Sequence, residues 1–227
     1  EVHKKTFSEF RGCHRGETLV VVGTGPSLVH YSPRTGARHI GVNTAYKRKD
    51  VRLDYYFLGH YIPGLCEELK EYDFTKFFAC YDVFPEYIVE ENDARRYFIN
   101  FPSKEIHADI EYYPLMGSGS IIFSAIQFAL FMRPKRILLV GCDCAENGHF
   151  DNNGPLIYNM HSSVSIWLDG YKRLKEFAAQ HYPDTEIFSI NPVGLTGMFH
   201  DIYTKSYLDA HSELNVSACR LLEAYDF

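Results

Sequence analysis

The chain has 227 residues, a formal net charge of −6 and a pI near 6.0. That length suits one large domain, or one domain with a small lid, and is enough to bury a substantial core. The acidic balance argues against nucleic acid as the main partner, and the longest apolar stretch, residues 121–132, is too short to span a bilayer and is interrupted by Gln127.

Residues 1–16 read as an amphipathic lead-in, with Phe7 and Phe10 at helical spacing. The run Leu19-Val-Val-Val22 predicts a buried first strand over 18–23, which stops at Gly23-Thr24-Gly25 followed by Pro26 and Ser27. A first strand ending at closely spaced glycines is where α/β proteins bring backbone N–H groups up to a phosphate. The motif is neither G-x-G-x-x-G, because Leu28 holds the third glycine position, nor a Walker A loop. A tight strand–helix turn that binds nothing is the other reading. Further strands are predicted at His39–Val42, Leu53–Leu58 and 76–81, with a helix over Pro63–Tyr72. Residues 84–114 are mixed and fit no element.

Gly117-Ser118-Gly119-Ser120 opens a second informative region. It leads into a helical apolar run to Phe131, then the strand Ile137–Val140 and the ending Gly141-Cys142-Asp143. That strand lacks polar alternation, as expected of a central parallel strand covered on both faces. A later helix over Val164–His181 and a strand over Thr185–Ile190, ending at Asn191-Pro192, complete the pattern. The alternation predicts an α/β fold: a Rossmann-like, doubly wound, mostly parallel sheet with helices on both faces. Ligands in such sheets bind outside the carboxyl ends of the strands, where the strand order reverses. Gly23-Thr24-Gly25, Asn43, His60, Asp143 and the Ser118-Gly119 helix start are expected to meet there, with Asp143 accepting from a ribose or base.

Six cysteines at 13, 66, 80, 142, 144 and 219 form no C-x-x-C pair. They are read as reduced thiols, with no metal site, in a cytoplasmic, reducing compartment. Lys47-Arg48-Lys49 is read as a solvated loop. Seventeen Tyr and seventeen Phe suit either a sugar- or base-stacking surface or a plain core. The chain opens at Glu1 rather than Met, as expected of a piece of a longer polypeptide.

In order, these motifs resemble the bacterial family-42 sialyltransferases. The residues that carry the resemblance are Val20-Val-Val-Gly-Thr-Gly-Pro-Ser-Leu28, His39-Ile-Gly-Val-Asn43, Gly117-Ser-Gly-Ser120, Ile137-Leu-Leu-Val-Gly-Cys-Asp143, His161 in Tyr158-Asn-Met-His-Ser162, and Ile187-Phe-Ser-Ile-Asn-Pro192. The same skeleton resembles the 6-hydroxymethylpterin diphosphokinase-like proteins. The sialyltransferases carry Asn where this chain has Thr24, and tyrosines just after the Gly-x-Asp strand, where Ala145 and His149 or Phe150 stand here.

The first resemblance implies a metal-independent glycosyltransferase with no cofactor. It would move sialic acid or a related sugar from a CMP-activated donor to a glycan acceptor in surface polysaccharide or lipooligosaccharide synthesis. It also implies one Rossmann-like domain over 1–227, with a lid at 145–165, and leaves room for peripheral association with a membrane. His161 would be the general base, since imidazole titrates near neutral pH. His149 and His60 are the next candidates for that role. Gly23, Thr24, Gly25, Pro26, Ser27, Asn43, Ser118, Gly119 and Asp143 would hold the nucleotide, and His60, His149 and Tyr158 would contact donor or acceptor. Under the second resemblance the chain is a nucleotide-dependent diphosphokinase. Asp143, with Glu146 and Asp151 nearby in sequence, would then help hold Mg²⁺. A nucleotide-binding domain without catalysis is the third reading.

Overall fold

A computed structural model describes residues 2–80, 84–100, 104–146, 148–151 and 160–225, with the backbone alone at 160–162 and 219. Eight strands form one sheet: β1 (Thr18–Val22), β2 (Arg38–Val42), β3 (Tyr55–Leu58), β4 (Thr75–Ala79), β5 (Arg95–Tyr97), β8 (Arg136–Val140), β9 (Glu186–Ile190) and β10 (His200–Ile202). Two short strands, β6 (Ile99–Asn100) and β7 (Leu115–Met116), pair separately. The sheet order is β10-β9-β8-β1-β2-β3-β4-β5, and every pairing among the described strands is parallel. The expected doubly wound α/β class is therefore observed.

β1 shows why these residues make a central strand. All five are buried, and successive side chains feed opposite faces. Leu19 and Val21 join Ile40, Phe57 and Phe77 on one face, under α4 (Ile122–Phe131) and α5 (Met160–His181). Val20 and Val22 join Tyr56, Phe78, Leu138 and Val140 on the other, against Leu28, Tyr46, α2 (Pro63–Leu69) and α3 (Glu86–Glu91). The lead-in is helix α1 (Lys4–Phe7) and a 3-10 turn (Ser8–Phe10), whose Phe7 and Phe10 pack on Phe77 and Phe128. Most of the aromatic excess among the described residues is thus core.

Every residue of α4 is buried. Its Gln127 is the reason a polar residue interrupts the apolar run. The side chain accepts from Met116 N (3.0 Å) and donates to Met116 O (2.9 Å), fastening β7 to the helix. Residues 84–114, which fit no element in the sequence, contribute α3, β5 and β6, and α6 (Lys205–Ala210) follows β10. No described helix is long and apolar enough to cross a membrane.

From β1 to β5 the sheet grows in one direction. The chain then returns through β6, β7 and α4 to place β8 on the opposite flank of β1. The strand order thus reverses between β1 and β8, which puts the crevice at the carboxyl ends of those two strands.

Candidate functional site

The glycine turn after β1 is welded to β8. Gly23 N donates to Val140 O (2.8 Å) and Gly25 N to Gly141 O (2.7 Å). A Cβ on Gly23 would lie 2.4 Å from Gly141 O, and one on Gly25 would lie 2.4 Å from the Asp143 carboxyl. The glycines are therefore required by close approach of two strand ends. This corrects the expectation that Gly23 and Gly25 present their N–H groups to a phosphate. Adjacent parallel strands at the switch point pair through these donors first. Of the turn's N–H groups, only that of Thr24 has no acceptor among the described residues.

Asp143 holds the turn from below. Its carboxylate accepts from Ser27 N (3.0 Å) and from the Ser27 hydroxyl, and the residue is 4% exposed. Pro26, with no N–H, opens the 3-10 turn Pro26–His30 that Ser27 anchors. Gly194 N donates to Asp143 O (2.7 Å), which ties the loop after β9 to the same point. Asp143 in this arrangement is a buried latch, with its carboxylate facing Ser27.

The segment after β8 folds back across the turn. Phe150 N donates to Thr24 O (2.9 Å), and Thr24 Oγ1 pairs with His149 Nδ1 (2.8 Å). His149 Nε2 has no hydrogen-bond partner among the described residues. Next in sequence, Asp151 lies 3.9 Å from Lys47 Nζ, at the end of the 3-10 turn Asn43–Lys47 that follows β2. Lys47 is half-buried there, and Arg48 donates to the carbonyls of Leu28 and Tyr31. Lys47 and Arg48 are thus built into the crevice wall, which corrects their reading as a solvated loop, whereas Lys49 is exposed. A long-range approach to the post-β8 segment decided this, and local sequence carries no sign of it.

Asn43 begins that turn with φ +48°, and its carbonyl accepts the Tyr56 hydroxyl. Ser118 (φ +32°) and Gly119 (φ +74°) lead into α4. The far end of α4 sits beside Gly12 and His14, at the amino edge of the sheet, so Ser118 and Gly119 are at the carboxyl edge. There Ile121 packs on Gly59 after β3, and Trp167 Nε1 donates to Gly119 O (3.1 Å). His60, half-buried after β3, is two strands from β1, roughly 10 Å at the usual spacing. Gly23, Thr24, Gly25, Ser27, Asp143 and His149 form one bonded group. Asn43 flanks it, and Ser118 and Gly119 share its edge from the α4 face. Tyr158 lies outside the described residues. His161 is in the first turn of α5, and its side chain lies outside what is described, as do residues 147 and 152–159 of the 145–165 segment. Asn191, just past the end of β9, spends its amide on Thr204.

Desolvation pushes the Cys142 thiol up to about 12 and the Cys144 thiol to about 11. Both are protonated at neutral pH and poor metal ligands in that form.

No family model matches the sequence, and no curated protein matches it. Two solved structures are similar to this chain. The MAf glycosyltransferase from Magnetospirillum magneticum AMB-1 superposes with a TM-score of 0.55 and 17% identity, over 91% of this chain and 36% of its own. This chain therefore spans about a third of that protein's length. The sialyltransferase CstII from Campylobacter jejuni, in complex with the substrate analogue CMP-3FNeuAc, gives a TM-score of 0.45 and 14% identity, over 76% of this chain and 80% of its own.

Proposed function

We propose that this chain is a glycosyltransferase domain that binds a nucleotide-activated sugar at the carboxyl edge of the sheet, between β1 and β8. The observation that carries the reading is the crevice at that reversal of strand order: the glycine turn latched by Asp143 and overlaid by His149. Similarity of fold to a glycosyltransferase over 91% of the chain supports it. The order of motifs in the sequence favours CMP as the nucleotide, sialic acid or a related sugar as the group transferred, and a surface glycan as acceptor.

In the reaction, an acceptor hydroxyl oxygen bonds to the anomeric carbon as the bond from that carbon to the phosphate oxygen breaks. The hydroxyl proton passes to a base, and the nucleotide leaves with the bonding pair. His161 is proposed as the base. His149, fixed at Nδ1 by Thr24, is proposed to meet the departing phosphate through Nε2. Thr24 N–H and the Ser118-Gly119 helix start would add backbone donors. Asp143 acts by holding the turn.

Calorimetry with CMP, UDP, GDP and ATP, each with and without Mg²⁺, tests the reading. CMP binding without metal is expected, and His161→Ala should abolish transfer while leaving CMP affinity nearly unchanged. Binding of ATP or GTP only with Mg²⁺ would replace the reading with a diphosphokinase. Unaltered turnover in His161→Ala would remove that residue from the mechanism.

A further inference from the structure

Asp151 is the one described carboxylate at this edge with nothing to bind. Its side chain is 8% exposed, and both oxygens are buried without a hydrogen-bond partner among the described residues. Lys47 Nζ, at 3.9 Å, is a counter-charge beyond hydrogen-bond distance. A buried acceptor pair left unsatisfied is costly, and native structures keep such groups where a ligand completes them. Asp143, the acid that sequence reading gives to the ribose, already has its carboxylate on Ser27.

The position narrows the ligand. Asp151 follows His149 and Phe150, which lie on the β1 turn, and it faces the Asn43–Lys47 turn after β2. Its charge also reaches Tyr46, whose hydroxyl is raised first by burial, then by its bond to Glu68, and less by Asp151. It therefore lies in the β1–β2 part of the crevice, beside the imidazole proposed to meet phosphate. Two acceptor oxygens at that place match a vicinal diol, which brings two O–H donors. The Lys47 ammonium already neutralises the carboxylate and would repel a divalent cation. Among the described residues no three His, Cys, Asp or Glu side chains gather to hold one.

We infer that Asp151 is the diol-recognising residue of this site, accepting from the ribose 2′- and 3′-hydroxyls of the nucleotide. The inference rests on the nucleotide-sugar reading above. Calorimetry with CMP and 2′,3′-dideoxy-CMP, on the wild-type chain and on Asp151→Ala, tests it. Wild type should prefer CMP by on the order of tenfold to a hundredfold per hydroxyl. That ratio should fall to about one in Asp151→Ala.

CMP binding without diol preference, or a preference that survives Asp151→Ala, overturns the inference and leaves the nucleotide reading intact. Failure of every nucleotide to bind overturns that reading and the inference with it. CMP binding that needs Mg²⁺ and loses that need in Asp151→Ala would assign Asp151 to a cation instead.

Discussion

At Gly25 the missing atom matters more than the flexible backbone. Its φ is −64°, open to any residue, yet a methyl group there would overlap the Asp143 carboxyl. Gly25→Ala is expected to destabilise the fold by about 1–3 kcal/mol through forced displacement of the Asp143–Ser27 latch. Thermal melts would show a fall of roughly 2–4 °C per kcal/mol for a chain of this size. A melting temperature equal to wild type would mean the two strand ends are looser than described. The need for glycine was legible in the sequence; what approached it was not. A phosphate and a neighbouring strand end make the same demand on Cβ, and only the pairing of β1 with β8 distinguishes them.

His3 supplies the pH dependence at this scale. Its Nδ1 bonds Ile110 O (2.8 Å), and its Nε2 accepts from Phe98 N (2.7 Å), so the fold requires the neutral ring. Burial lowers its pKa, and burial likewise lowers that of His39, which is paired with Tyr31. Between that lowered value and about 6.5, the ordinary value for histidine, the unfolded chain binds the proton and the native one does not. The stabilisation is full above about pH 6.5 and is lost as pH falls below it. Melting temperatures from pH 8 to pH 5.5 should fall more steeply for wild type than for His3→Gln. Parallel slopes would show that His3 plays no part.

Among the elements, legibility followed burial on two faces. β1, β2, β3, β4, β8 and β9 announce themselves because covering both sides of a parallel strand demands an unbroken apolar run. The outer strands carry Arg95-Arg96-Tyr97 and His200-Asp201-Ile202, with one fully buried apolar side chain apiece, Tyr97 and Ile202. Three such residues have no period to read, so both strands escape notice. Gln127 tests how an apolar helix is held in register. Replacing it with Leu leaves Met116 N and O without the bonds it supplied, at a cost of about 1–3 kcal/mol. Denaturant unfolding of Gln127→Leu should show that loss with little change in m-value. A stabilised variant would show that apolar packing outweighs the clamp.

On the scale of the molecule, the order of strands was the part that sequence could not supply. Alternating β and α segments indicate a doubly wound sheet, but the return of β8 to the flank of β1 depends on contacts between distant segments. That return makes the crevice, and it draws Thr24, Asp143, His149 and Asp151 from the two flanks of one seam. Lys47 and Asp151 are legible as charges but not as a pair, because nothing local foretells their approach.

The pairing of Thr18 with Arg136 has a further consequence during synthesis. A ribosome that has released β1 through β5 has made a half-sheet whose first strand, apolar on both sides, shows a bare edge until Arg136–Val140 emerges. Such an edge is a template for strand addition by any other chain. The seam that creates the crevice is therefore also the nascent polypeptide's period of greatest exposure to misassembly, and it closes only when the same latch residues that shape the crevice arrive.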